Sequence, residues 1–329
     1  LFQAVYLPAD QKSLVQAFYQ KYQPKLLLLM ETEIWPNLID QAKHFNVPCL
    51  LINARLSEKS AQGYAKVATL THGMLSCIDR LLAQDQATLQ RYLELGMAPD
   101  KAQILGSIKF DIQAPESFIQ QAEVLKQQWN LSKRQVITLA STHAPEEQKL
   151  LSALKPYLVD HPELLIIIVP RHPERFDAVF QLAQDLPLTT QRRSLGQRIE
   201  AESQVYLADS MGEMWLWYAL SCVCFVGGSL NEPGGGHNIL EPMALNIPTV
   251  IGPNYFNFQT IVDELIKADA ILLGQEVNQV AAQLIQCVQQ PEQAQRLSEH
   301  AAAIMQKNSG SLQKHIQVID EYLAKKPAF

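Results

Sequence analysis

No apolar run in the sequence approaches the roughly 20 residues of a membrane-spanning helix. The runs LLLLM at 26–30 and LLIIIV at 164–169 have strand length. Cysteine is scarce. Cys49, Cys77, Cys222, Cys224 and Cys287 are odd in number and lack metal-ligand spacing, which argues against a disulfide framework or a zinc module. Several lie in apolar runs and read as buried free thiols of a reducing compartment. Cys222 and Cys224 fall on one side of an expected strand, a poor arrangement for a tight disulfide or a metal pair. Charged residues make up only 18% of the chain, and the net charge of −6 argues against a general nucleic-acid binder. No G-x-G-x-x-G follows the first apolar strand, and P-loop and H-E-x-x-H patterns are also missing. A dehydrogenase and a histidine metal site are therefore poor readings. An initiating Met is missing too. The chain opens as LFQAVYLPAD, which reads as already inside a strand, as expected of a fragment or a processed chain.

What is present is 329 residues with 47% hydrophobic content, enough for two domains. Residues 1–110 carry 11 basic and 9 acidic side chains (+2), leaving 16 and 24 (−8) for the remainder. Strand-length apolar runs alternate with amphipathic stretches: KLLLLMET, PCLLINAR, RLLAQD and AQILGSIKF in a first set, then QVITLAST, LLIIIVPR, QVYLAD, CVCFVGG, PTVIGP and AILLG. This alternation predicts βαβ crossovers and two parallel α/β sheets in series, divided near residue 112 at DIQAPES. The C-terminus reads as helical.

Ligands of such sheets lie beyond the carboxyl ends of the strands. Polar residues gather there: Glu31 and Glu33, Asn53 and Arg55, Lys109, Ser141 to His143, Pro170 to Arg175, and Asp209 to Glu213. Beside them lies a loop with five glycines, VGGSLNEPGGGHNILEP (226–242). Their clustering points to a site between two domains. Glycines let backbone N–H groups approach an anion, and Asn238 suits a helix N-cap, so strand, loop and helix start together suit a phosphate. A plain surface loop fits the same residues. Glu241, in the first helical turn, suits the helix dipole or a ribose diol. Arg171, at a strand end between Pro170 and Pro173, is placed to neutralise an anion. In DSMGEMW, Asp209 or Ser210 can cap a helix, leaving the N–H groups of Met211, Gly212 and Glu213 for a ligand or for ordinary capping. Glu31 and Lys109, expected across a cleft from each other, suit charge stabilisation on a transferring group or a simple ion pair. His143 and His237 read as polar loop residues, because no metal spacing surrounds them.

Taken together, METEIWPN, NARLS, GSIKFD, STH, VPRHPER, the DSMGE turn and VGGSL…GGHNILEP resemble the bacterial 3-deoxy-D-manno-octulosonic acid (Kdo) transferases, in order and spacing over essentially the whole chain. The resemblance implies a GT-B fold, two Rossmann-like domains facing a cleft. On this basis residues 1–112 are part of the lipid-acceptor domain and 113–308 the CMP-Kdo (donor) domain. Residues 309–329 form a helix returning to the first domain. It also implies an inverting transfer of Kdo from CMP-Kdo to the lipid A precursor lipid IVA, in lipopolysaccharide biosynthesis at the cytoplasmic face of the inner membrane. No metal and no cofactor are implied. By the family's motifs, Pro170, Arg171, Met211, Gly212, Glu213, Asn238, Ile239, Leu240 and Glu241 surround the nucleotide. Glu31 and Lys109 take the transition-state-stabilising positions.

Two departures stand out. NEPGGGHN (231–238) is one residue longer than the usual family loop. The family also has about a hundred further residues upstream, in keeping with a complete Rossmann-like half. These carry a membrane-anchoring segment and a Ser-Val-Gly-Glu type motif whose glutamate is the proposed base. The expectation is that this chain binds CMP or CMP-Kdo and transfers weakly. Two alternatives remain open: another GT-B nucleotide-sugar transferase or epimerase, and a non-catalytic nucleotide- or lipid-binding module.

Overall fold

A computed structural model describes residues 3–324. The chain divides into two compact units, one comprising the chain up to Asp111 and again from Asn308, the other Ile112–Lys307.

The first unit runs α1 (Lys12–Tyr22), β1 (Leu27–Met30), α2 (Pro36–His44), β2 (Cys49–Ala54), α3 (Glu58–Ala65), α4 (Ala68–Ser76), β3 (Arg80–Ala83), α5 (Gln86–Glu94) and β4 (Ala102–Ile104). The four strands are parallel in the order β1-β2-β3-β4. Leu29, Leu51, Leu81 and Ala83 from the strands pack with Val15, Tyr19, Leu38, Ile39 and Leu75 from the helices. Pro36 opens α2 at a position where its missing N–H costs nothing. Residues 3–9 form no strand, contrary to the strand-like reading of LFQAVYLPAD; residues 1–2 lie outside the described residues. The apolar side chains of this segment are solvent-facing, Tyr6 completely so. Strand geometry needs a ladder partner, which this segment does not have among the described residues. AQILGSIKF is strand only at 102–104, and Ile108–Phe110 close into a 3-10 turn.

The second unit contains α6 (Glu116–Gln128), β5 (Gln135–Thr142), α7 (Glu146–Asp160), β6 (Leu164–Pro170), α8 (Phe176–Asp185), β7 (Thr190–Arg192), β8 (Val205–Leu207), α9 (Met214–Ala219), β9 (Val223–Val226), α10 (Leu240–Ala244), β10 (Thr249–Ile251), α11 (Gln259–Lys267), β11 (Leu272–Leu273), α12 (Val277–Gln289) and α13 (Pro291–Asn308). The seven-stranded sheet is parallel, in the order β11-β10-β9-β5-β6-β8-β7. Residues of β5, β6 and β9 are almost entirely buried, as a sheet covered on both faces requires. The strand order reverses between β5 and β9, and a crevice opens beyond their carboxyl ends at such a switch point. α8 and α11 go unassigned from the sequence although both are amphipathic, whereas β7 reads TQR, with no apolar residue to announce it.

The last helix, α14 (Ser311–Ala324), belongs to the first unit. Asp111 accepts from the N–H of Leu312 at 2.6 Å and from that of Gly310 at 2.5 Å, capping α14. Gly106 holds left-handed backbone (φ 90°), which glycine adopts without strain, and a Cβ there would lie 2.4 Å from Ser311 Oγ unless that hydroxyl rotated away. No helix among the described residues is long and apolar enough to cross a membrane. Cys49, Cys224 and Cys287 are buried free thiols, as expected. Cys77 is half-buried, and Cys222 is exposed because it precedes β9 at the amino end of the sheet.

Candidate active site

In the first unit, Glu31 follows β1 and Lys109 sits in the turn after β4. Lys109 Nζ lies 2.9 Å from Glu31 Oε1, with about a third of each side chain exposed. This corrects the expectation that they oppose each other across a cleft: both belong to one unit, because β4 ends on the sheet that also carries β1. Asn53, wholly buried near the end of β2, ties this corner together. Its Oδ1 accepts from Ile108 N–H at 3.2 Å, and its own N–H donates to His315 Nε2 of α14 at 3.1 Å. His315 Nδ1 lies 2.8 Å from Ser311 O. Accepting at Nε2 and donating at Nδ1 fixes a neutral imidazole, and burial lowers its pKa accordingly. Asn53 Nδ2 has no partner among the described residues. Glu31 (φ 57°) and Asn53 (φ 47°) both hold left-handed backbone, unusual for residues with a Cβ.

In the second unit, the glycine loop does not leave its first N–H groups to a ligand. Those of Gly228, Ser229 and Leu230 donate to the Glu146 carboxylate at 2.9, 3.1 and 2.9 Å, and His143 N–H adds a fourth bond at 2.9 Å. The anion held there is the protein's own. Glu146 is fully buried, and burial pushes its pKa up while the backbone N–H donors partly offset that. Gly227 is required beside it, because a Cβ would sit 2.5 Å from Ser141 O and 2.8 Å from Glu146 Oε2. Glu147, beside it in the first turn of α7, is buried and takes both nitrogens of the Arg175 fork at 2.6 and 3.1 Å.

What remains open lies at the far end of the loop. A cavity of about 300 Å³ is lined by Ser141, Pro170, Arg171, Met211, His237 and Glu241, among others. Arg171 is exposed, and no ion pair engages its guanidinium among the described residues. Asn238 Oδ1 accepts from Leu240 N–H at 3.1 Å and its Nδ2 donates to Glu241 Oε1 at 3.0 Å. Burial raises the pKa of Glu241, and the Asn238 bond works against that. Ile239 and Leu240 are buried, so they offer a ligand only backbone groups. α10 has five residues, and Asn238 already fills its first free donor, so its end is a weaker anion site than expected.

The structure moves the cap expected at DSMGE. α9 begins at Met214, and Asp209 is buried in an ion pair with Arg192. Glu213 pairs with Arg193 at 2.9 Å and accepts from Ser210 Oγ. Burial opposes its ionisation, but these partners outweigh it and hold its pKa below the usual range. Neither arginine was singled out from sequence; the doublet in TTQRRSLG (189–196) was its only trace.

His143 and His237 meet directly, Nε2 to Nε2 at 2.7 Å, with their ring planes parallel and centroids 5.0 Å apart as an in-plane hydrogen bond requires, and His172 lies edge-on to His143. A hydrogen bond between two imidazoles needs one donor and one acceptor, so the two rings are never both protonated while it holds. Burial lowers both pKa values, that of His237 to about 4, with the neighbouring histidines and Arg171 adding to the effect. No cluster of three or more His, Cys, Asp or Glu among the described residues is placed to hold a metal. The site thus offers Arg171 without an ion-pair partner among the described residues, the half-buried Glu241 carboxylate on a capped turn, and a backbone turn, a set suited to a nucleoside phosphate.

Known proteins give the following likenesses. A family model described as 3-deoxy-D-manno-octulosonic-acid transferase (kdotransferase) matches residues 1–112. The 3-deoxy-D-manno-octulosonic acid transferase of Haemophilus influenzae is 37% identical over 322 residues, 97% of this chain and 74% of that protein. The crystal structure of the C-terminal CMP-Kdo binding domain of WaaA from Acinetobacter baumannii is 62% identical. It covers 58% of this chain and all of that one, with a TM-score of 0.58. Anabaena Alr3699/HepE in complex with UDP, 14% identical, covers 95% of this chain and 82% of its own, with a TM-score of 0.58. That likeness concerns the fold alone.

Proposed function

The chain belongs to the Kdo transferases, glycosyltransferases built of two Rossmann-like units in the GT-B class, and from that premise we propose that it moves Kdo from CMP-Kdo to lipid IVA with inversion at the anomeric carbon. The acceptor hydroxyl oxygen forms the new bond to that carbon. The bond to the phosphate oxygen breaks, CMP leaves with the electron pair, and the hydroxyl proton passes to a carboxylate base. Charge builds on the leaving phosphate and on an oxocarbenium-like sugar. Arg171 neutralises the phosphate. Glu241, held by Asn238, accepts from the ribose diol, and the Met211–Gly212 backbone meets the base. Glu31 and Lys109 stabilise the transferring group. The acceptor's lipid chains confine the reaction to a membrane surface, and we assign it to the cytoplasmic face of the inner membrane, in keeping with the family.

The observation that carries this reading is the unengaged Arg171 beside Glu241 in one cavity, at the carboxyl ends of β5, β6 and β9. Titration calorimetry with CMP tests it. Arg171→Ala is expected to weaken CMP by at least ~10-fold, the value of one lost charge-assisted bond. No CMP binding by the unmodified chain, or undiminished binding by the variant, would count against the reading. Tighter binding of UDP than of CMP would favour another GT-B nucleotide-sugar enzyme.

A further inference from the structure

The segment TTQRRSLG (189–196) contributes no side chain to the cavity, yet it grips the turn that does. β7 ends at Arg192, and a 3-10 turn follows over Arg193–Leu195. Arg192 directs Nε to the Asp209 carboxylate, which is completely buried, and sets Nη1 2.6 Å from Asp177. Its guanidinium lies over the Phe180 ring, 5.4 Å from the centroid. Ser194 adds its N–H at 2.8 Å and its hydroxyl at 2.5 Å to the same Asp209. Arg193 turns the other way. Its Nη2 and Nε donate to the two oxygens of Glu213 at 2.9 and 3.2 Å, while its guanidinium lies over Trp217 of α9.

Asp209 and Glu213 are the two ends of the Asp209–Glu213 turn. Two adjacent arginines therefore hold both ends through carboxylates, and Ser210 closes the interior by donating to Glu213. Both carboxylates are spent in these bonds. What the turn shows to the cavity is Ser210, Met211 and Gly212, with Gly212 at φ 81° and Met211 largely exposed. A turn with one left-handed residue and no secondary-structure ladder has little rigidity of its own. Its shape comes from the arginine forks, each of which fixes a carboxylate plane.

We propose that Arg193, backed by Arg192, is a positioning residue for nucleotide binding: it locks Glu213 so that the Ser210–Gly212 backbone, and not the Glu213 carboxylate, meets the nucleoside. This rests on the reading that the cavity takes CMP. It assigns Glu213 a structural part in recognition and gives the β7 segment a function that no motif announces.

A double-mutant cycle read by CMP calorimetry tests it. Arg193→Ala and Glu213→Gln are each expected to weaken CMP ~5- to 20-fold. The double variant should be no weaker than either single, because both changes release the same turn. Arg193→Lys keeps the charge but loses the fork, and should fall between wild type and Arg193→Ala. It also carries the comparison should Arg193→Ala fail to fold. Two results would overturn the proposal: unchanged CMP affinity in both Arg193 variants, or a Glu213→Gln loss that persists in full in the Arg193→Ala background, which would mean direct contact. Absence of CMP binding by wild type would overturn the pocket assignment itself, and this proposal with it.

Discussion

Replacing Glu146 by Gln should cost stability out of proportion to a one-atom change. Each carboxylate oxygen serves two backbone N–H groups: Oε2 those of His143 and Gly228, Oε1 those of Ser229 and Leu230. An amide keeps one of these oxygens. Its NH2 faces the other two donors, whichever way it is flipped. Two buried N–H groups then lose their acceptor, at ~1–3 kcal/mol each. Removing a buried charge returns part of its desolvation cost, so the net loss is expected near ~2–3 kcal/mol. That is a large share of a typical ~5–15 kcal/mol of total stability, yet small enough to leave a folded protein. Urea unfolding of the two proteins measures it directly, and CMP affinity should fall in parallel as the 228–230 segment loosens. A loss below ~0.5 kcal/mol would show that the loop does not depend on its internal anion, and the account of the glycine loop would then be wrong.

Two further outcomes follow from the same geometry. The His143–His237 pair is held neutral, with folded pKa values below the ordinary imidazole value. Its contribution is therefore complete above pH ~6.5 and declines as pH falls toward about 4, since the unfolded chain takes up the protons first. Discounted for solvent over this half-exposed pair, the loss is ~1–2 kcal/mol. His237→Gln should flatten that decline in unfolding experiments between pH 7 and 4.5, and an unchanged slope would exclude the pair as its source. Lys109→Ala should abolish Kdo transfer while leaving CMP affinity unaltered, because the residues proposed to take CMP lie in the other unit. Its effect on stability should stay below ~1 kcal/mol, as for any ion pair exposed by a third; retained transfer would remove Lys109 from the chemistry.

Much of this was legible in the chain. QVITLAST and LLIIIVPR are β5 and β6 almost to the residue, because a strand buried on both faces must be apolar throughout. Once the strands were placed, the residues following them were the site candidates, since a parallel sheet collects its ligands at its carboxyl ends. Arg171, Glu241 and the Met211–Gly212 turn do line one cavity. The neighbouring signals misled where local pattern and long-range pairing diverged. LFQAVYLPAD has the composition of a strand, but residues 3–9 have no ladder to join among the described residues. Glu146 and Glu147 resembled ordinary first-turn acids and are instead buried anions.

By itself the sequence determined the α/β class, the apolar central strands and the residues at their carboxyl ends, because periodicity and turn chemistry are local properties written in order along the chain. Only the tertiary structure decided which of those residues are free to act. It filled the glycine nest with Glu146, bound Glu213 to Arg193, set His143 against His237, and packed α14 beside the Lys109 turn. Each of these contacts joins residues 20 to 201 positions apart. Whether a polar group is spent or available depends on what the fold brings within 3 Å of it, and spacing along the chain carries no record of that.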